Sequence, residues 1–537
     1  MKKYFLLLVA SIFFATNLFS QITFQKTYGS VYGNQANAVI STNAGGYALA
    51  GWYDVEGSFT AEFYLIVTDA QGDTLWTKTY GSKIDTTANL TVNGSGNEGY
   101  NLIQTDDDGF FFIGERHDFP GGPSEVFAVK INATGEMEWS KTYGGFDNEY
   151  GLSAYQTDDG GYAIGGFTES FGGGTRNFYL LRTNSFGDIL WTKTYGGTSI
   201  DAANEMQPTA DGGFIMVGYS FSFGAGNSDV FVIKTDEDGE IIWEKTYGGG
   251  LNDNGLSIAL TDDGGYIICG ETESFGAGNL DVYILKINAS GDLQWSKTYG
   301  GSGYEGGKSI ATTEDNGFII AGYTRSFGAG GEDFYLIKID SQGGVIWIKT
   351  FGGEFDEAAK SVKLTTDNGY IIAGYTRTFG EGGLEMYIVK TDEDGFSECG
   401  QDADGTIISE ITTVETSTNA ILGEGGTTKV PSTLVGYTNT ETSNPCDIIN
   451  DIKENLEQQK IQIFPNPAND FLIIKNIEDD YFFPKRILIY DILGKQIQSF
   501  SLNAAEKKID ISIVPSGVFF LNLIINEQHF TYKFVKQ

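Results

Sequence analysis

Trp295-Ser-Lys297-Thr-Tyr-Gly300 is one copy of a phrase that returns along most of this chain. Lys-Thr-(Tyr/Phe)-Gly starts at Lys26, Lys78, Lys141, Lys193, Lys245, Lys297 and Lys349, at intervals of 52, 63, 52, 52, 52 and 52 residues. A Trp stands two residues before the Lys at Trp76, Trp139, Trp191, Trp243, Trp295 and Trp347. Phe24 holds that place in the first copy, and Cys399 stands at the next expected position. The one long interval is a unit with an insertion near Ser82–Tyr100. A fixed period of this length marks a repeat architecture, in which each unit buries its faces against its neighbours.

Each unit reads as four strands. In one copy these are Ser309–Thr313, Phe318–Thr324, Asp333–Ile339 and Val345–Thr350. Their residues are Ile, Val, Tyr, Phe and Thr, and the turns between them hold Gly, Asp and Asn, as β-hairpins require. Four strands in about 50 residues, repeated, predict a β-propeller. The first three strands occur seven times, ending with Lys360–Asp392, but the fourth occurs only six times after them. Ile22–Tyr28 has the missing grammar. The amino end should therefore complete the last blade and close the ring, leaving no open sheet edge there. The expected chain is all-β, with a seven-bladed β-propeller over 21–400.

Composition agrees with this. Of 537 residues 73 are Gly and only 9 Pro, beside 7 Trp, 29 Tyr and 38 Phe. Disordered Gly-rich chains lack aromatics, and collagen needs abundant Pro. The net charge of −37 opposes nucleic acid and anionic membrane surfaces. Residues 461–537 hold eight basic and eight acidic side chains, so the acid belongs to 21–460. His117 and His529 are the two histidines, and neither sits in a motif for His-based catalysis or a multi-His zinc site.

Lys2 and Lys3 precede an apolar run, Tyr4 to Phe19, which ends at Ser20. This reads as a signal peptide over 1–20, cleaved after Ser20. The run is short for a membrane span, and no later segment is long and apolar enough, so no transmembrane anchor is expected. Cys269 lies in an apolar strand and reads as a buried small hydrophobe. Cys399 and Cys446 flank an irregular segment and could pair as a disulfide outside the cytoplasm.

Turns between first and second strands read Thr-x-Asp-x-Gly-(Tyr/Phe), as at Thr209-Ala-Asp211-Gly-Gly213-Phe214. This is similar to the Asp-box hairpin of other propellers, which implies an Asp that bonds its own turn; blade one departs, with Ala44. Asp236-Glu-Asp-Gly239 before Trp243 looks like the tryptophan-docking motif of quinoprotein propellers. The turn is one residue short and no Cys-Cys pair exists, so shared packing is implied and quinone binding is not. Both acidic turns fall short of a full calcium loop. Structural Ca2+ is the one metal left open, and no cofactor is expected.

Eight residues after the repeat Lys stands an acid in five blades: Glu149, Asp201, Asp253, Glu305 and Glu357; Asn34 and Asn97 fill the other two. The loop between second and third strands carries (Ser/Thr)-Phe-Gly-x-Gly, with Phe171, Phe223, Phe275, Phe327 and Phe379. Six residues on stand Asp229, Asp281, Asp333 and Glu385, or Asn177. One reading is a carboxylate ring at the channel mouth with aromatics around it, able to bind a cation or sugar rings. The other is that each acid caps its own loop and each Phe plugs its own blade, because true sites tend to break symmetry. If one copy is special it is blade two, which has the insertion, Arg116, His117 and Phe-Pro-Gly-Gly.

Residues 401–460 lose the repeat and read as a partly extended Thr/Ser-rich linker. From 461 the grammar suggests a small Ig-like β-sandwich. Pro465-Asn466-Pro467, a Tyr-Asp491-x-Leu-Gly494 turn, a Gly517-Val-Phe-Phe-Leu strand and a basic end with Lys533 and Lys536 follow one another. Over 461–537 this resembles the type A carboxyl-terminal sorting domain of the type IX secretion system. The resemblance implies partnership with that machinery, passage across the outer membrane, and release or attachment at the cell surface. The expected function is an exported cell-surface or secreted binding or scaffold protein, for an extracellular glycan or protein. The alternative is a carbohydrate-active hydrolase, endoglucanase-like, using propeller-face carboxylates, although no catalytic residues can be chosen.

Overall fold

The computed structural model describes residues 21–397 apart from segments 30–32, 55–60, 83–95, 118–121 and 381–382; beyond 400 it describes the strands and some residues beside them. Residues 1–20, Cys399, Cys446, Pro465, Asn466, Pro467 and Gly494 lie outside the described residues. Those described form strands and no helix. The chain divides into two compact units, Met1–Asn444 and Pro445–Gln537.

The first unit is a propeller of seven antiparallel blades. Blade one runs Asn34–Ser41, Tyr47–Asp54, Ala61–Thr68, Thr74–Ser82. Blade six runs Glu305–Thr312, Phe318–Thr324, Asp333–Ile339, Val345–Phe351. The seventh blade has three strands of its own, ending with Glu385–Thr391, and Phe24–Gly29 completes it, with Phe24 opposite Lys390 and Tyr28 opposite Met386. The amino end therefore closes the ring, as the repeat count predicts.

Second and third strands read as continuous apolar runs because each blade is covered on both faces by a neighbour. Ile319, Ile320, Leu336 and Ile337 are all buried. The repeat phrase itself stitches blades together. Trp139 packs on Tyr162 of the next blade with ring centroids 5.8 Å apart, and Trp347 on Tyr370 at 5.9 Å. The repeat tyrosines donate to a glycine carbonyl one blade on: Tyr80 to Gly135 at 2.8 Å, Tyr143 to Gly187 at 2.8 Å, Tyr195 to Gly239 at 2.7 Å. Phe351 breaks this series because it has no hydroxyl.

The Asp turns are closed by hydrogen bonds and an ion pair of their own blade. Asp211 accepts the Thr209 hydroxyl at 2.5 Å and pairs with Lys234 on the third strand. The Lys234 ammonium and the Thr209 hydroxyl hold the Asp211 carboxyl at about 2. Blade one lacks both members of the pair: Ala44 replaces the Asp, and Val67 stands where Lys234 stands in blade four.

The region expected as a linker supplies seven short strands, each added to the outer edge of one blade. Gln401–Asp402 joins blade six, Ile407–Glu410 blade five, Val414–Ser417 blade four and Ile421–Gly423 blade three. Thr427–Lys429 joins blade two, Thr433–Gly436 blade one, and Glu441–Ser443 the closing strand Phe24–Gly29. The receiving edge is the Lys-Thr-(Tyr/Phe)-Gly phrase, met at Lys349 and Thr350 in blade six and as far as its glycine in the others. Gly300 faces Ile407, Gly248 Val414, Gly196 Ile421, Gly144 Thr427, Gly81 Leu434 and Gly29 Glu441. The segment thus forms a belt that steps about seven residues per blade, against the order in which the blades were made.

The second unit holds two small sheets. Gln462–Phe464, Phe471–Lys475 and Lys508–Asp510 form one. Arg486–Asp491, Gln496–Phe500, Gly517–Ile525 and Gln528–Lys536 form the other. Asp491 faces Phe519, Gly517 faces Lys536, and Lys533 faces Phe520. Leu472, Ile489, Ile509, Ile511 and Leu521 are buried. Cys269, in blade five, is a free and fully buried thiol.

Candidate functional site at the channel

Glu149, Asp201, Asp253, Glu305 and Glu357 open their inner strands and are fully buried. Each accepts the backbone amide of the glycine four residues before it: Gly145, Gly197, Gly249 and Gly353 at 2.7 Å, Gly301 at 2.8 Å. Hydroxyls from the second strand take the other oxygen, Thr168 at 2.7 Å, Thr324 at 3.0 Å and Thr376 at 2.7 Å among them. This geometry is a loop cap. The phenylalanines pack inside their own blades: Phe171 on Tyr179, Phe223 on Phe231, Phe275 on Tyr283, Phe327 on Tyr335 and Phe379 on Tyr387, with centroids 5.5–6.3 Å apart.

The second set of acids sits against the first. Burial pushes Asp229 up to about 6 and Asp333 up to about 7; the charges of Asp253 and Glu357 add to this, while loop amides oppose it. A protonated partner is what lets two buried carboxyls lie side by side. Asn177 takes the same place in blade three and donates to the Phe171 carbonyl at 2.9 Å. Among the described residues no group of three or more His, Cys, Asp or Glu side chains is gathered as a metal site.

Beside larger clefts at the blade turns, open space lies on the axis. A cavity of about 300 Å3 is lined by residues of all seven inner strands. Three positions beyond each capping residue stand Asn37, Tyr100, Leu152, Asn204, Leu256, Lys308 and Lys360, and all seven line it. The caps repeat from blade to blade and these positions do not.

A second variable ring adjoins the first. It follows the glycine of each second strand: Trp52, Glu115, Phe167, Tyr219, Glu271, Tyr323 and Tyr375. These face Gln35, Glu98, Tyr150, Ala202, Asn254, Gly306 and Ala358 of the inner strands. In blade two the like charges Glu98 and Glu115 are direct cross-strand partners. The Tyr100 hydroxyl lies 2.8 Å from Glu115 and 3.3 Å from Glu98. Burial raises the Glu98 carboxyl, and the charge of Glu115 adds to it. His117 Nε2 lies 3.9 Å from Glu115 and 3.2 Å from the Ser124 hydroxyl. Arg116 is turned away, buried over the Phe127 ring at 5.3 Å.

Blades six and seven carry the opposite sign. Lys308 bonds the Glu271 carboxylate and lies 5.4 Å from the centre of the Tyr323 ring. Gly306 makes room for this group: a Cβ there would come within 2.4 Å of Glu271 Oε1 and 2.6 Å of Tyr323 Cε1. Lys360 lies 5.5 Å from the centre of the Tyr375 ring, and burial pushes its ammonium down. One side of the axis therefore offers carboxyls and a phenol, and the other offers ammonium groups against tyrosine faces. Such a set can orient a small polar ligand. Motif spacing missed these residues because a repeat is recognised by what stays constant. The usable signal was the variation at fixed places within it, and blade two was the only copy singled out.

Residues 462–537 match the family model described as a secretion system C-terminal sorting domain. The regulatory protein FlaEY of Caulobacter vibrioides is similar to part of the chain, 25% identical over 168 residues. That is 29% of this chain and 16% of FlaEY, so the likeness spans a small fraction of that protein's length. Among solved structures, Sqt1 from Chaetomium thermophilum is 11% identical with a TM-score of 0.37, over 66% of this chain and 85% of Sqt1. PorZ, a surface component of the type IX secretion system of Porphyromonas gingivalis, is 9% identical with a TM-score of 0.31, over 94% of this chain and 81% of PorZ. These likenesses are loose, and the seven-bladed arrangement rests on the strand pairing itself. Among the described residues no helix is long and apolar enough to cross a membrane. The carboxyl end is a type IX secretion sorting domain, and such a tail implies secretion to the cell surface.

Proposed function

We propose that this is a surface-delivered binding protein whose propeller holds an extracellular glycan or protein at its axial channel. The observation that carries this is the pattern of symmetry. Residues that hold blades together repeat, whereas Asn37, Tyr100, Leu152, Asn204, Leu256, Lys308 and Lys360 all line one cavity and follow no repeat. A scaffold alone has no need of such variation. In this reading residues 1–20 are the signal peptide, 401–460 run from the last blade to the tail by way of the belt, and 461–537 fold as an Ig-like β-sandwich that engages the secretion machinery. The five capping carboxylates then serve the blades, and ligand contact falls to the channel residues.

The test is a glycan and protein binding screen on the full exported chain, repeated with Tyr323→Ala and Lys308→Met. Weaker binding with an unchanged melting temperature supports the channel. Undiminished binding in both variants removes it. A second reading, carbohydrate hydrolysis, is favoured by one feature, the Glu98–Glu115 pair at the Tyr100 hydroxyl. Product formation that is lost in both Glu98→Gln and Glu115→Gln would establish it, and absence of product across polysaccharide substrates would dismiss it.

A further inference from the structure

We infer that the channel receives a sugar residue bearing a carboxylate, with Lys360 as the cation that meets it. This rests on the reading that the channel is the ligand site. The chain carries 71 acidic against 34 basic side chains, so most of its surface repels anions. At the axis the balance is reversed, because Lys308, Lys360 and Lys363 line the cavity beside one acid, Glu205. Lys308 and Lys360 differ in state. Lys308 already holds the Glu271 carboxylate. Among the described residues Lys360 shows no hydrogen bond or ion pair, and its contact is the face of Tyr375. Glu332 and Glu271 act on this half-buried ammonium only from beyond ion-pair distance, and burying a charge costs free energy unless it is directly paired. A ligand carboxylate would supply that pair.

The neighbours argue for a sugar rather than a bare anion. Tyr100 and Tyr155 line the same cavity, and aromatic faces pack on the C–H faces of pyranose rings. Asn37 and Asn204 line the same cavity and offer amide donors and acceptors for hydroxyls. A volume of about 300 Å3 stands at the small end of ligand cavities, suited to one ring rather than a length of chain. Burial, and after it the charge of Lys308, push the Lys360 ammonium down, while the charges of Glu332 and Glu271 oppose this.

The experiment is calorimetric titration of the full chain with glucuronate, glucose, acetate and sulfate. Lys360→Met, Lys360→Arg and the plug Leu152→Trp are tested beside the parent, with melting curves to confirm folding. We expect glucuronate to bind at least tenfold more tightly than glucose or either simple anion. Lys360→Met should lose that preference, and Lys360→Arg should keep most of it. Equal binding of glucose and glucuronate overturns the carboxylate, and equal binding of acetate and glucuronate overturns the sugar. If the plug abolishes saccharide binding while Lys360→Met changes nothing, the channel stands and this inference falls. If binding survives the plug, both fall; if no saccharide binds at all, this inference falls and the channel reading is left to the protein arm of the screen.

Discussion

The tyrosine of the repeat phrase reaches from one blade into the turn of the next, and its hydroxyl is a bond that six blades make and one lacks. Tyr28 donates to Gly72 at 2.6 Å and Tyr299 to Gly343 at 2.8 Å, but Phe351, which stands at the same 44-residue spacing before Gly395, has no hydroxyl. Phe351→Tyr should therefore raise stability by about 0.5–1.5 kcal/mol, and Tyr195→Phe should lower it by a similar amount, both read from denaturant melts. A second prediction concerns Asp333, whose ordinary value is 3.8 and which burial raises to about 7. Above pH 4 the folded chain holds a proton that the unfolded chain releases. The stability from this site is full below about pH 4 and is lost as pH rises through 7. Melting temperature should fall over that window. Asp333→Asn, which copies the amide that blade three already has in Asn177, should flatten the fall and raise Tm at pH 8. A pH profile identical to the parent's would refute the assignment. The sequence shows acids at a fixed spacing. It does not show that the donors are the amide four residues back and the hydroxyl nineteen residues on, so ring and cap both stay open until the chain is folded.

Strands, blades and the closing of the ring were legible because they repeat with a constant period and turn chemistry. The belt was not. Its strands are two to four residues long, below any periodicity, and their apolar members Ile407, Val414 and Ile421 stand seven apart in a Thr-rich stretch, with Leu434 thirteen further on. Seven is no strand period. It becomes meaningful only as the distance between neighbouring edges. Ending the chain at residue 400 should uncover the outer edge of every blade. Such a protein should self-associate and melt at lower temperature than one ending at 444, as light scattering and calorimetry would show. Blade one offers a further check on the Asp turn. Ala44→Asp alone adds a carboxylate without its lysine, and Val67→Lys alone adds a buried cation without its acid. Together they rebuild the Asp211–Lys234 pair, so the double variant should exceed the sum of the singles by about 1 kcal/mol in a double-mutant cycle.

At the scale of the molecule the acid and the address are separate. Residues 21–460 carry 63 acidic and 24 basic side chains, while 461–537 are neutral in sum. Deleting 462–537 should leave the propeller folded but absent from the cell surface, as fractionation with surface protease digestion would show. Protein that still reaches the surface would detach the tail from delivery. The belt adds a consequence of its own. It starts on blade six and meets the blades in reverse, and its last strand, Glu441–Ser443, finds a seat only on Phe24–Gly29, the strand that shuts the ring. A propeller one blade short would leave a span of it dangling, and one blade over would leave an edge bare. It acts as a tally of its own molecule, because its end can settle only when all seven blades are present.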